Sequence, residues 1–474
     1  MPDKMRLFNL FLHSGSQMEG IQLATTPVSS WATHHADWVE HTLEDLRKIM
    51  KRRTLLVNFV ALKEVVESHF GLVCRSMDWV AEGGASQLYL TTLKDGRQVL
   101  ARLTFPFPYA ENMGPKFAYQ EEYDRARLPD RLTTEIATIR FVRRNTRIPV
   151  AEVYTFDASL PNPVGTVYMV QELMPGNVLS TRWREMTIDQ QSEAVVSLVR
   201  HIGDLLALPF TRFGSLVSRG SETVVGPQQL PCRAIARNHP LPDVGPWPAE
   251  EPYAFMLSLA IREKLWLESS AGPELFRTIR SESFPLEDQE KTLPAFIECL
   301  QVVVDLIRNI HTIYPLPSQV HRPSLMHGDL HFSNVLVSRE NPGVITAIVD
   351  WDFSSVMPLW ATYSIPGMLR DLPTLPSQRR ENNSRLREVF RLAMIEACPD
   401  LKVLISPADS MTADSYNAHC ILMGFLDEGC ALHYSREVMQ SELSSLLSCT
   451  SRTTPEGKRA AELIEAMMAH FTRL

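Results

Sequence analysis

The residues best equipped for chemistry lie between Leu325 and Phe353. The run Leu325-Met-His-Gly-Asp-Leu-His-Phe-Ser-Asn-Val-Leu-Val337 is followed, after a short gap, by Ile345-Thr-Ala-Ile-Val-Asp-Trp-Asp-Phe353. A polar loop here precedes an apolar strand, Val335 to Val337. A second apolar strand, Ile345 to Val349, ends in Asp350-Trp351-Asp352, and a turn with Asn341, Pro342 and Gly343 joins the two. Such a ribbon brings Asp329, Asn334 and Asp350 to one end. Strand alternation predicts Ile348, Asp350 and Asp352 on one face, with Val349, Trp351 and Phe353 on the other. Carboxylates and an amide converging at a strand end suit a hard divalent cation that prefers oxygen, and Mg²⁺ is the obvious choice. Asp329, in the preceding loop beside a histidine, suits a general base for a hydroxyl nucleophile. Taken singly, each of these residues is most simply a turn former. The whole set at this spacing argues for chemistry.

The neighbouring residues read more plainly. His327 is expected to hold the loop by hydrogen bonds, His331 and Phe332 to pack it, and Trp351 to be core. Asp352 is either a second metal ligand or a strand-end cap.

The elements that must position this set can be read along the chain. Residues 38–53 read as a helix, and Leu62, Val65, Val66 and Phe70 recur at helical spacing up to Gly71. From about 77 to 105 the texture is strand. Leu88, Leu90 and Leu93 lead to the turn Lys94-Asp95-Gly96 and resume at Val99 to Leu103, a hairpin. A polar insertion (106–130) precedes a helix from Leu132 to Arg144. Pro149-Val150 opens a strand pair that closes with Val164 to Glu172, and Pro175-Gly176 marks a break. Beyond it the chain reads as mainly helical apart from the ribbon. The pattern is α+β and bilobal, a β-rich block and then a large helical block. The expected division is an N-terminal extension over 1–57, a β-rich lobe over 58–174 and a helical lobe over 175–474.

Composition narrows the function classes. The chain has 474 residues, enough for two or three lobes. Lys+Arg total 47 against 55 Asp+Glu, a formal net charge of −8, with no basic block, which argues against nucleic acid as partner. No apolar run approaches the roughly 20 residues that span a bilayer, so no membrane is expected. The 7 cysteines are an odd number and form no C-x-x-C pair, so they read as buried thiols of a reducing compartment. The expectation is cytoplasmic. A mitochondrial presequence stays open, because the first 18 residues hold one acid, Asp3.

His327-Gly-Asp329, Asn334 four residues further on and Ile-Val-Asp350-Trp-Asp352 together resemble the aminoglycoside phosphotransferase/choline kinase-like family, whose fold is protein-kinase-like. Gly214-Ser-Leu216, Gly245-Pro-Trp247 and Ser354 to Trp360 resemble fungal members. The resemblance runs through much of 58–370. It implies Asp329 as catalytic base, Asn334 and Asp350 as Mg²⁺ ligands, and ATP as phosphoryl donor. It further implies Gly83, Gly84 and Ser86 in a nucleotide-covering turn, and Arg102 where a kinase carries its phosphate-pairing lysine. Glu135 would be the partner of that cation, with Glu172 and Met174 at the hinge that meets adenine. Arginine in place of lysine keeps the charge and changes the geometry.

The resulting expectation is phosphoryl transfer from Mg·ATP to a hydroxyl of a small molecule. A protein kinase would carry H-R-D and D-F-G. Gly328 and Trp351 depart from those motifs, which leaves a protein hydroxyl as the runner-up acceptor. The rival outside enzymes is a catalytically silent nucleotide-binding scaffold. The C-terminal region offers Asp427 and Glu428 but also carries Arg379, Arg380, Arg385, Arg387 and Arg391, a mixture that does not announce a polycationic acceptor. Choline-like, homoserine-like and sugar hydroxyls are therefore equally open, and oligomeric state is not legible.

Overall fold

The computed structural model describes residues 53–83, 85–106, 115–229, 244–270, 286–370, 375–427 and 436–473. The predicted helix over 38–53 lies outside them except for Arg53, as do Gly84, Cys232, Cys430 and Glu428.

Helix α1 (Phe59–Phe70) is set by its end residues. The Asn58 side chain accepts from the amide of Ala61 at 3.1 Å, and Gly71 closes the helix at φ +63°. Its buried stripe, Ala61, Leu62 and Val66, packs on Tyr89, Leu93, Val99, Ala101, Leu103 and Val170. Each large member contributes about 1.5–3 kcal/mol by leaving water.

Those partners belong to a five-stranded antiparallel sheet. It comprises β1 (Cys74–Glu82), β2 (Ser86–Leu93), β3 (Gln98–Thr104), β4 (Val153–Asp157) and β5 (Val167–Glu172), in the order β1-β2-β3-β5-β4. The predicted β2–β3 hairpin is present, with Gly96 at φ +90° in its turn. Along β3, Ala101 and Leu103 face α1, so alternation sends Arg102 to the other face.

That opposite face meets α2 (Pro115–Asn145). The helix corrects the expectation of a polar insertion over 106–130, because it covers 115–130 as well as the predicted 132–144. Pro129 inside it removed the helical signal, and the Thr133 hydroxyl donates to the carbonyls of Pro129 and Asp130 there. Leu132, Ile136, Ile139 and Val142 are buried along one stripe, as their spacing required.

After the break at Pro175-Gly176, the two-residue strand β6 (Asn177–Val178) begins the return. Later come β7 (Pro323–Met326), β8 (Val335–Val337), β9 (Ile345–Ile348) and β10 (Ser355–Pro358). Strands β8 and β9 pair as the predicted ribbon, and β6 adds to its edge. Gly176 is required there. Its φ is +126°, and a Cβ would lie 2.6 Å from the Val337 carbonyl oxygen. The ribbon ends earlier than expected, at Ile348, and Asp350 sits at φ +63°. The alternation predicted through Phe353 therefore fails after Val349, and Trp351 and Asp352 are both buried.

By compactness the described chain forms two units. One gathers residues up to Arg143 with Pro149–Met186 and Phe332–Asp350, and the other gathers Arg144–Ile148, Thr187–His331 and Trp351 onward. The ribbon thus clusters with the β-rich unit although it lies late in sequence. The fold class is α+β, as expected.

The second unit is mainly helical, with additional short hairpins. Helix α3 (Ile188–Leu206) opens with a capping box between Thr187 and Gln190. It meets α6 (Ser377–Ala397), where a Cβ on Gly203 would lie 3.0 Å from that of Ala397. Helices α4 (Ala254–Leu267) and α5 (Leu286–Arg308) pack together. β7 pairs with β10, Met326 opposite Ser355. Cys74, Cys299 and Cys398 are buried thiols as expected, whereas Cys420 is exposed and Cys449 partly so. No helix among the described residues is long and apolar enough to cross a membrane.

Candidate active site

In the β-rich unit three predicted residues converge. The Arg102 guanidinium reaches Glu135 with one amino group and Asp350 Oδ1 with the other, the latter at 2.9 Å. Arg102 and Glu135 are buried, while the Asp350 side chain is 39% exposed. A buried Arg102 and Glu135 stabilise each other's charge, and the open carboxylate of Asp350 is the member left facing solvent. Sequence reasoning paired Arg102 with Glu135 only. The contact with Asp350 spans 248 residues of chain, and no local signal announces it.

Asn334 is buried at the end of a short 3₁₀ turn that leads into β8. Its carbonyl accepts from the Val349 amide at 2.9 Å, which extends the β8–β9 register by one pair. Asn334 and Asp350 are thereby brought to the same end of the ribbon. The amide of Ile348 donates to the Pro149 carbonyl at 3.0 Å, fixing that end to the chain entering β4. A carboxylate and an amide are two hard oxygen donors. They match an ion that takes one or two protein ligands and completes its shell with phosphate and water, as Mg²⁺ does. Among the described residues no group of three or more His, Cys, Asp and Glu could hold a metal.

The turn between β1 and β2 carries Gly83 and Ser86, while Gly84 lies outside the described residues. The Gly83 amide donates to the Ser86 carbonyl at 2.7 Å, and Phe105 N donates to Ala85 O at 2.8 Å. At the end of β5 the Glu172 carboxylate accepts from the Glu152 amide at 3.1 Å and from Arg143 at 3.3 Å. Those contacts hold the strand end, leaving Met174 half-buried in the chain running to Gly176. Arg143 and Glu152 escaped the sequence reading. Phe332 is buried with its ring 4.6 Å from that of Trp183.

In the helical unit lies the loop after β7. Gly328 has φ +83°, and a Cβ there would fall 2.4 Å from the Phe353 carbonyl oxygen. Only glycine fits, which explains the H-G-D sequence physically. His327 is buried with its ring 4.5 Å from that of Trp351, and its carbonyl lies 2.7 Å from the Ser354 hydroxyl. Asp329 is 53% exposed, with His331 Nε2 3.5 Å from its Oδ2. His331 is therefore an electrostatic neighbour of Asp329 and not simply loop packing. The Asp352 carboxylate caps the turn by accepting from the Phe353 amide at 3.0 Å. Phe353 takes φ +62°, an uncommon state for an aromatic residue, and such backbone states concentrate at functional sites. Of the arginine run on α6, Arg387 donates to the Leu369 carbonyl and Arg391 pairs with Glu388.

Comparison with known proteins places the chain in a family. The model of a family described as "Phosphotransferase enzyme family" matches residues 80–362, more than half of the chain. A subtelomeric hrmA-associated cluster protein of Aspergillus fumigatus is 24% identical over 375 residues, covering 67% of this chain and 68% of that protein. The mitochondrial protein named altered inheritance of mitochondria protein 9, from Lachancea thermotolerans, is 22% identical over 60% of this chain and 48% of its own length. Among solved structures, aminoglycoside phosphotransferase APH(4)-Ia is 12% identical with a TM-score of 0.39, covering 87% of this chain and 99% of that one.

Proposed function

Because this chain belongs to the phosphotransferase enzyme family, we propose that it moves the γ-phosphoryl group of Mg·ATP to a hydroxyl of a small molecule. The observation that carries the reading is the Arg102 guanidinium held between Glu135 and Asp350. It couples a cation able to pair with phosphate to a carboxylate able to bind metal.

Asn334 and Asp350 would hold Mg²⁺, which supplies charge neutralisation across the phosphates when bound. Arg102, oriented by Glu135, would steady those phosphates with a fork of donors. Gly83, Gly84 and Ser86 would cover them, since a turn with little side chain lets backbone amides approach anionic oxygen. The backbone between Glu172 and Met174 would meet adenine, with the Glu172 carboxylate anchoring that strand end. Asp329, open to solvent, would orient the acceptor hydroxyl and take its proton. Positioning carries most of such a reaction, and the base adds roughly 10²–10⁴-fold. We also assign the chain to the cytoplasm. The relatives named as mitochondrial make mitochondria the competing compartment, which fractionation of the tagged full chain decides.

The test is thermal stabilisation by ATP with and without Mg²⁺, on the wild type and Asp350→Ala. Ligand at 100 times its dissociation constant adds about 2.7 kcal/mol. A Mg²⁺-dependent shift lost in the variant is the expected result. An equal shift in both proteins sinks the metal assignment, and no shift with any nucleotide sinks the site. Asp329→Asn should keep the shift and lose phosphoryl transfer to screened alcohols by about 10²–10⁴-fold. Transfer unchanged in Asp329→Asn would remove the base.

A further inference from the structure

Upstream of α1, the helical residues 53–56 and the link at Val57 and Asn58 form a strap along the β-rich unit. One end of the strap is fixed near the β4–β5 connection. The Asn58 amide donates to the Val164 carbonyl at 2.9 Å, and Val57 belongs to the core under the sheet. Gly165 accommodates the strap, because a Cβ there would lie 2.3 Å from the Leu56 carbonyl oxygen. Next to Arg53, the Gln87 amide group donates to the Thr54 hydroxyl at 3.3 Å.

The other end is Arg53, which is buried. Its Nη1 donates to Glu82 Oε1 at 2.7 Å and to the Gly83 carbonyl at 3.3 Å, and its Nη2 donates to the Pro106 carbonyl at 2.9 Å. The guanidinium carbon also stands 5.3 Å from the centre of the Phe105 ring. One planar cation thus joins the last residue of β1, the first glycine of the turn and the segment leaving β3. A guanidinium is suited to this, since its fixed fork reaches several acceptors at once and tolerates stacking on an aromatic face. Two of these acceptors are main-chain carbonyls, so the clasp holds the backbone itself at Gly83 and Pro106. Glycine turns are otherwise loose, and looseness weakens binding through the ordering that a ligand must impose.

We infer that Arg53 is a positioning residue for the nucleotide, holding the β1–β2 turn in its phosphate-covering conformation from outside the site. The inference rests on the reading of that turn given under the proposed function. It also moves the functional start of the β-rich lobe from residue 58 to Arg53.

The test compares full-length wild type with Arg53→Met, Arg53→Lys and Asn58→Ala. The readouts are Mg·ATP affinity by calorimetry, the kcat and KM of ATP turnover, and amide hydrogen exchange over residues 83–88. Arg53→Met should weaken nucleotide binding about tenfold, as loss of charge-assisted hydrogen bonds does. It should raise the KM for ATP by the same factor and leave kcat within about threefold. Exchange should quicken in the turn and not across the sheet. Arg53→Lys should recover part of the affinity. Asn58→Ala, which weakens the helix cap at the strap's other end, should lower the melting temperature and leave nucleotide affinity unchanged. Wild-type binding with an unaltered affinity in Arg53→Met overturns the inference alone. Faster exchange throughout the unit overturns it too, because Arg53 would then be a general stabiliser. No nucleotide binding by the wild type overturns the site itself, and Arg53 as a nucleotide-positioning residue with it, even if the turn's exchange still quickens.

Discussion

Two polar clusters, one in each unit and each with a buried member, are built on opposite electrical principles. In the β-rich unit Arg102 bridges Glu135 and Asp350, an assembly of formal charges with one carboxylate open to solvent. In the helical unit, Tyr253 at the entry to α4 lies 2.8 Å from His321 Nε2 and 3.1 Å from His419 Nε2 on α7 (Ser410–Asp427). His419 Nδ1 faces the Ser415 carbonyl at 2.7 Å, and a carbonyl only accepts, so that nitrogen carries the proton. Its Nε2 therefore accepts from the Tyr253 hydroxyl, whose oxygen in turn accepts from His321. Burial lowers the affinity of His419 for a second proton to a pKa of about 4 and pushes the Tyr253 phenol upward. Burial lowers the proton affinity of His321 as well, so the trio carries no formal charge at neutral pH. Charge that is partly open to solvent can meet a ligand, whereas a neutral chain of donors and acceptors suits a core.

Breaking each cluster should separate the two principles. Arg102→Met leaves Glu135 buried without its cation and should cost about 3–5 kcal/mol in urea unfolding. Adding Glu135→Leu should recover most of it. A cost below 1 kcal/mol for the single variant would mean that Glu135 simply takes up a proton.

Acid should come next in size. His419 is neutral when folded and protonates below its ordinary value of 6.5 when unfolded. The unfolded chain then binds more protons, so this residue's stability is full above 6.5 and is lost as pH falls towards about 4. Glu263 on α4 has the opposite sign. Burial raises its pKa from 4.5 to about 7, with Arg262 pulling against that shift. The folded chain then holds the extra proton, and stability falls as pH rises from 4.5 to about 7. Each contribution is roughly 3 kcal/mol at 1.36 kcal/mol per unit, so over their common range the two nearly cancel in the wild type. Glu263→Gln should therefore unmask stability that climbs with pH between 4.5 and 6.5. Denaturant midpoints at several pH values read this directly, and a flat profile in the variant removes His419 from the account.

Tyr253→Phe leaves one acceptor and one donor without their partner and should cost about 1–3 kcal/mol with no pH slope of its own. The smallest effect belongs to the solvent-facing pair of Lys264 on α4 and Glu268, four residues on and just past its end. Lys264→Ala should change stability by about 0.5 kcal/mol or less, and a larger loss would show that this helix face is covered.

Much of this was legible without coordinates, because it depends on local rules. Apolar spacing and Gly71 gave α1, Asp95-Gly96 gave the β2–β3 turn, and two short apolar runs gave the ribbon with Asn334 and Asp350 at one end. Where local signals conflicted, the reading failed. Pro129 hid half of α2, and strand alternation was carried past Ile348 although Asp350 turns to positive φ. The helix over 38–53 lies outside the described residues but for Arg53.

By itself the sequence determined the α+β class, the identity and spacing of the acids and amide that could handle phosphate and metal, and membership of a phosphotransferase family. The first two follow from residue types and short-range periodicity, which the covalent chain enforces over a few residues, and the last from the resemblance carried by the motifs around Asp329 and Asp350. Only the tertiary structure decided that Asp350 meets Arg102, that Gly328 is demanded by the Phe353 carbonyl, and that Arg53 grips the turn at Gly83. Contacts of that kind join residues tens to hundreds of positions apart. They are selected by the packing of whole elements, and no local pattern encodes them.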